Sequence, residues 1–249
     1  MTRVLLLGGT AEASALARKL SAAGIDAVFS YAGRTNSPVE QSLPTRIGGF
    51  GGVDGLAAYL KAEQITHVVD ATHPFAAVMS TNAIAACAAT ETPLCAFERA
   101  PWVAEEGDDW THVPDIDAAI AALPEEPAHV FLAIGRQHIA AFAAKPWHQY
   151  LLRLVDRPVG KLPLATAEVI VARGPFTLAG DLQLLKSRRV NLIVAKNSGG
   201  SGARAKLEAA RALHLPVILI DRPVLPARIT AHSSADVMRW LGHVADLGV

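Results

Sequence analysis

Cysteine is scarce in this 249-residue chain: Cys87 lies in an alanine-rich stretch and Cys95 in an apolar one, and two isolated thiols exclude a disulfide framework or a cysteine-built zinc site. Both read as core fillers in a reduced compartment. Long apolar runs are also missing, since nothing approaches the roughly 18 uninterrupted residues of a membrane span. The opening MTRVLLLGGT holds one short apolar run, stopped by two glycines and too brief for a secretory signal, so a cytoplasmic protein with no membrane partner is expected. Charge of either sign is sparse, with 23 Lys+Arg against 23 Asp+Glu, and this balance gives no reason to expect a nucleic-acid partner. Metalloprotease, P-loop and nucleophile-elbow motifs are absent and the nine histidines lack ligand spacing, so no metal is expected.

What the chain does have is apolar mass. At 51% hydrophobic residues and a mean hydropathy of +0.28 it can bury a core, and its length suits one large domain or two of about 125 residues. The neutral total conceals an uneven distribution: residues 1–128 carry 7 basic against 16 acidic groups, and residues 129–249 carry 16 against 7. An acidic half and a basic half are expected, hinged at the PEEPA stretch from Pro124 to Ala128.

Short apolar runs alternate with helical patterns on both sides of that stretch. Val4–Leu7 reads as a strand, Gly8-Gly9 as a tight turn, and Ala11–Ala23 as a helix capped by Thr10 and closed at Gly24. Strands are expected again near residues 26–30, 45–49, 67–71 and 93–97, with helices over 53–62, 75–89 (Pro74 in its first turn) and 116–123. The second half reads as strands near 130–134, 150–154, 168–172, 192–195 and 217–220. Its helices fall over 139–144, 178–187, 203–213 and 235–241. Apolar strands joined by helices indicate parallel sheets. The expected fold is α/β, with two Rossmann-like domains over residues 1–126 and 127–249, mainly parallel sheets and an interdomain cleft; a (β/α)8 barrel is the competing architecture.

In such sheets ligands gather at the C-terminal strand ends, and the residues there are suggestive. Gly8-Gly9-Thr10-Ala11 opens a helix, where backbone N–H groups favour a phosphate, although a tight turn needs glycine equally. Ser30-Tyr31-Ala32-Gly33-Arg34 ends the second strand without the carboxylate that a ribose hydroxyl would want. Arg34 suits a 2′-phosphate there, or is a solvated loop arginine. Asp70-Ala71-Thr72-His73-Pro74-Phe75 ends the fourth strand and exposes His73, either to a ligand or simply in a turn. Arg99 beside Trp102, Arg136, Arg173, the glycine-rich Lys196-Asn197-Ser198-Gly199-Gly200 and Arg222 place cations at further strand ends. Arg222 next to Asp221 has an ion pair as its plain reading.

Taken in order and spacing, LLLGGTAEA (5–13), YAGR (31–34), DATHPFA (70–76), ERAPW (98–102), RGPF (173–176) and KNSGG (196–200) resemble the precorrin-6A reductase family of cobalamin biosynthesis over about the whole chain. The resemblance implies an oxidoreductase that uses NADPH to reduce the precorrin-6A macrocycle to precorrin-6B. On that footing Gly8, Gly9, Thr10 and Ala11 are expected at the cofactor diphosphate, Ser30 and Arg34 at the 2′-phosphate, and Thr72, His73, Pro74 and Phe75 near the nicotinamide. Arg99, Arg136, Arg173, Lys196, Asn197, Ser198, Gly199 and Arg222 are expected to bind the polycarboxylate corrin precursor. The proton completing reduction comes from His73, Tyr31 or water, and the protein is expected to be a monomer or weak oligomer. Two other classes use the same residues: a non-catalytic two-lobed anion-binding or sensor protein, and another NADP-linked reductase or two-lobed nucleotide-sugar transferase.

Overall fold

The computed structural model describes residues 2–33, 39–158 and 160–246. Backbone contacts divide the chain into one unit of residues 1–99 with 224–249 and a second of residues 100–223.

The first unit opens with β1 (Arg3–Leu7), α1 (Ala11–Ala22), β2 (Asp26–Tyr31), β3 (Thr45–Ile47), α2 (Gly52–Ala62), β4 (His67–Asp70), α3 (Ala77–Thr90) and β5 (Leu94–Phe97). The second holds β6 (Trp110–Val113), α4 (Ile116–Ala121), β7 (His129–Ala133), a 3-10 helix (Arg136–Ala144), β8 (Gln149–Leu154), β9 (Ala167–Val171), α5 (Leu178–Ser187), β10 (Leu192–Lys196), α6 (Ala205–Ala212) and β11 (Val217–Ile220). The chain then returns to the first unit as β12 (Ile229–Ala231) and α7 (Ser234–Asp246).

Each unit contains a six-stranded sheet, ordered β12-β5-β4-β1-β2-β3 in the first and β6-β11-β10-β7-β8-β9 in the second. Every pairing is parallel. The strand period explains the layers. Val4 and Leu6 join Phe29 and Val69 on one face, against Leu16, Leu20, Val237 and Leu241, while Leu5 and Leu7 point the other way onto Leu56, Leu60 and Ala83. In the second unit Phe131, Ile193, Val217 and Leu219 form the equivalent face with Leu185 and Leu207. Cys87 and Cys95 are buried in the first unit, and burial pushes their thiols up to about 12 and about 11, which keeps both protonated and inert.

Several expectations need correction. The boundary lies at residues 99/100 and 223/224 rather than at 126/127, because each sheet takes its sixth strand from a segment remote in the chain: β12 pairs with β5, and β6 pairs with β11. PEEPA therefore connects α4 to β7 inside the second unit. The charge division goes with it. The first unit carries 9 basic against 10 acidic residues and the second 14 against 13, so neither is an acidic or basic lobe. The acidic run after Arg99 sits in the second unit, where Glu105 and Asp108 engage Arg204 and Arg211. Helix α3 begins at Ala77, since a turn in which the Ala76 N–H donates to the His73 carbonyl at 2.7 Å precedes it and leaves Pro74 outside. Residues 136–144 form a 3-10 rather than an α helix.

Candidate functional site

In the first unit the C-terminal ends of β1, β2 and β4 lie side by side in the sheet. The Gly8 N–H donates to the Ser30 carbonyl at 2.9 Å and the Ala71 N–H to the Leu7 carbonyl at 2.9 Å, tying the three strand ends together. Gly8 is required sterically: a Cβ there would lie 2.1 Å from the buried Phe29 ring. Gly9 is required conformationally, at φ +121°. Thr10 is spent on structure, its Oγ1 accepting from the Ala13 N–H at 3.1 Å and donating to the Ala71 carbonyl at 2.9 Å. Its side chain thus caps α1, and the N–H groups from Gly9 to Glu12 find no backbone acceptor among the described residues. An anion is the natural partner for them, by hydrogen bonding and by the helix dipole.

Glu12, in the first turn of α1, is the group that would oppose an anion. The structure sets Arg99 on it, with Nη1 2.8 Å from the Glu12 carboxylate. Arg99 thereby neutralises the Glu12 carboxylate beside the seat, a role that spacing in the sequence does not suggest. Thr10, Glu12, Thr72, Pro74, Phe97, Glu98 and Arg99 line a shallow cleft at this place.

At the end of β4, Asp70 is buried and accepts from the Thr72 N–H at 3.1 Å and from its hydroxyl at 2.7 Å. This holds the turn that exposes His73. The His73 Nδ1 accepts from the Phe75 N–H at 3.2 Å, so the neutral ring carries its proton on Nε2. Tyr31 sits two strands away at the end of β2, its hydroxyl donating to the Val39 carbonyl at 2.8 Å and accepting from Gln41 at 2.5 Å. Two strand spacings are roughly 10 Å, so Tyr31 and His73 do not meet at one reacting atom. Ser30 is buried, and its hydroxyl accepts from Arg46, a residue of β3 that no motif marks. Arg34 lies outside the described residues.

The second unit gathers its own strand-end loops. Asn197 is buried and fully engaged: its Oδ1 accepts from the Trp102 N–H at 2.7 Å and its amide donates to the Trp102 carbonyl at 3.0 Å. The Trp102 indole donates to the Gly200 carbonyl at 2.7 Å. Arg222 donates to the carbonyls of Asn197 and Ser198 at 3.0 and 3.1 Å, whereas Asp221 is bound by His112 at 2.7 Å, so the plain pairing of Asp221 with Arg222 is replaced. Gly199 packs so closely that a Cβ would lie 2.1 Å from the Ala100 carbonyl. Asn197 and Gly199 thus build the loop that carries Lys196 and Ser198.

The RGPF loop is joined to it, the Phe176 N–H donating to the Gly202 carbonyl at 3.3 Å. Phe176 lies on the Arg153 guanidinium, 3.8 Å from ring centre to Cζ, and Arg153 grips Asp181 through two bonds of 2.5 and 3.2 Å. This buried pair supports the loop that exposes Arg173. Arg136 is likewise exposed at the start of the 3-10 helix. Burial, and after it the nearby Lys196 charge, lowers the pKa of His138. No group of His, Cys, Asp and Glu among the described residues is suited to a metal, and no described helix is long and apolar enough to cross a membrane.

Comparison with known proteins agrees with this architecture. The family model described as precorrin-6x reductase CbiJ/CobK matches residues 3–242. A precorrin-6A reductase of Rhodobacter capsulatus is 64% identical over 241 residues, covering 97% of this chain and 96% of the relative. A cobalt-precorrin-6A reductase of Priestia megaterium is 32% identical, covering 88% and 90%. A solved structure described as CobK precorrin-6A reductase superposes with a TM-score of 0.95 at 64% identity, over 98% of this chain and 97% of that one.

Proposed function

Since the chain belongs to the precorrin-6x reductase CbiJ/CobK family, we propose that it reduces the precorrin-6A macrocycle to precorrin-6B in cobalamin biosynthesis, with NADPH as the reductant. The observation that carries the cofactor reading is the first unit's strand-end edge: open N–H groups from Gly9 to Glu12, a close-approach glycine at Gly8, and a second strand that ends in Ser30 and Tyr31 with no carboxylate. These residues fit a dinucleotide carrying a 2′-phosphate. When bound, NADPH supplies the hydride.

The protein's own residues then have separable tasks. The Gly9–Glu12 amides hold the diphosphate, with Arg99 cancelling the Glu12 charge that would repel it. Thr72, His73, Pro74 and Phe75 frame the place beyond β4 where the nicotinamide belongs. Reduction of one double bond takes a hydride on one atom and a proton on its neighbour, and His73, whose neutral ring carries its proton on Nε2, is the donor we assign in preference to Tyr31, whose hydroxyl donates to the Val39 carbonyl. Arg136, Arg173, Lys196, Ser198 and Arg222 are assigned to substrate carboxylates, with Asn197 and Gly199 shaping their loop. The attraction is local, since the second unit as a whole is nearly neutral. The 64% identical relative is named for the cobalt-free substrate, which favours metal-free precorrin-6A.

The test is consumption of NADPH by a trace of enzyme on supplying precorrin-6A, with NADH and cobalt-precorrin-6A in parallel. Stoichiometric NADPH loss with formation of the dihydro product is expected. Binding of both ligands with no turnover would make the protein a sensor instead.

A further inference from the structure

The described arginines of the first unit are mostly taken up by carboxylates: Arg3 by Glu63, Arg99 by Glu12, Arg228 by Glu98 and Arg239 by Asp236. Arg46 is different. Its Nη1 donates to the Ser30 hydroxyl at 2.8 Å and to the Gly48 carbonyl at 2.9 Å, and its Nη2 donates to the Gly49 carbonyl at 3.1 Å. The guanidinium carbon lies 3.8 Å from the centre of the Phe50 ring and 5.1 Å from that of Tyr59. It is half-buried, and none of its partners among the described residues is negatively charged. Holding a guanidinium with neutral acceptors and an aromatic face leaves its charge uncompensated, which is unfavourable for a mere strut but suits a residue waiting for an anion.

The geometry specifies which anion. A guanidinium has five N–H groups, and three find acceptors among the described residues, where Nε–H and one Nη2–H find none, the side-on pair that matches two oxygens of a phosphate. The group is bonded to Ser30 at the end of β2, the place where dinucleotide folds read the 2′ substituent of the adenosine ribose. We infer that Arg46 is the specificity-determining residue that binds the 2′-phosphate of the reductant, held ready by Ser30, Gly48, Gly49 and Phe50. This rests on the NADPH reading and deepens it. Ser30, expected at the 2′-phosphate, then acts through Arg46.

Calorimetry with 2′,5′-ADP and 5′-AMP separates these claims without turnover. The unmodified protein is expected to prefer 2′,5′-ADP. Arg46→Met should weaken 2′,5′-ADP by about tenfold or more while changing 5′-AMP by no more than about twofold, the scale of losing one charge-assisted bidentate contact. Arg46→Lys should fall between, because it keeps the charge but not the fork. Ser30→Ala should give a smaller loss in the same direction, and serves if Arg46→Met does not fold. In steady state Arg46→Met should raise KM for NADPH with little change for NADH, leaving kcat at saturating NADPH. Equal weakening of both nucleotides, or a 2′,5′-ADP preference that survives Arg46→Met and Ser30→Ala but is lost in Arg34→Met, overturns the assignment to Arg46. No preference for 2′,5′-ADP in the unmodified protein overturns the NADPH reading itself.

Discussion

Arg99 illustrates how a residue's neighbours redefine it. The sequence marks it as a cation beside a tryptophan and so as a carboxylate ligand for the substrate, while the structure brings it 87 positions back in the chain to Glu12. Its consequence is a charge-balance experiment. Arg99→Ala should raise KM for NADPH roughly three- to tenfold, because an unscreened carboxylate then sits in the first turn that receives the diphosphate. Glu12→Gln in the same chain should restore it. A defect confined to KM for precorrin-6A, with no rescue, would return Arg99 to the substrate. The turn at Gly8-Gly9 and the exposed strand-end position of His73 were legible because a strand, a turn signal and a helix are all local. Arg46 was not, since its meaning lies in partners on β2 and in the loop beyond β3, and a three-residue strand leaves no pattern around it.

The element scale shows the same division. β1, α1, α5 and β11 were readable within a residue or so, because apolar period, caps and glycine stops act over a few neighbours. β6 and β12 were missed. Each is short, exposed at its first or middle positions and placed at a sheet edge, so neither shows an apolar run. The Lys196–Gly200 stretch was legible as a glycine-rich loop at a strand end, yet its internal use of Asn197 was not, because both groups of that amide go to the backbone of Trp102, 95 residues away. Asn197→Ala should therefore cost about 2–4 kcal/mol, leaving a buried N–H and carbonyl unpaired, and a shift of the urea midpoint will measure it. Unchanged stability with weakened substrate binding would make the side chain a ligand instead.

At the scale of the whole molecule, stability should depend on two buried imidazoles. His67 and His148 are buried in different units, each with an Nε2 that finds no partner among the described residues, and burial lowers both pKa values below 6.5. The unfolded chain therefore takes up protons near pH 6.5 that the folded chain refuses until lower pH. Stability is expected to be flat above that range and to fall on acidification, until the folded-state pKa values are passed. Denaturant titrations from pH 7.5 to 5 will show it, and His148→Gln should reduce the slope if the protein folds. A profile that rises on acidification would contradict the assignment.

Local chemistry in the chain was enough to determine the alternation of strand and helix, the parallel sheets, the glycine turn and the family-specific strings, because each depends on residues within a few positions of one another. Tertiary structure alone decided which strand completes which sheet. That choice depends on pairing between segments remote in sequence, and it moved an acidic run into the second unit and removed the apparent contrast of charge. It also decided which cations are matched by carboxylates, Arg99 by Glu12 and Arg153 by Asp181, and which is held by neutral groups, Arg46 by Ser30, Gly48 and Gly49. Electrostatic partnership is set by distance in space, and linear order does not carry it.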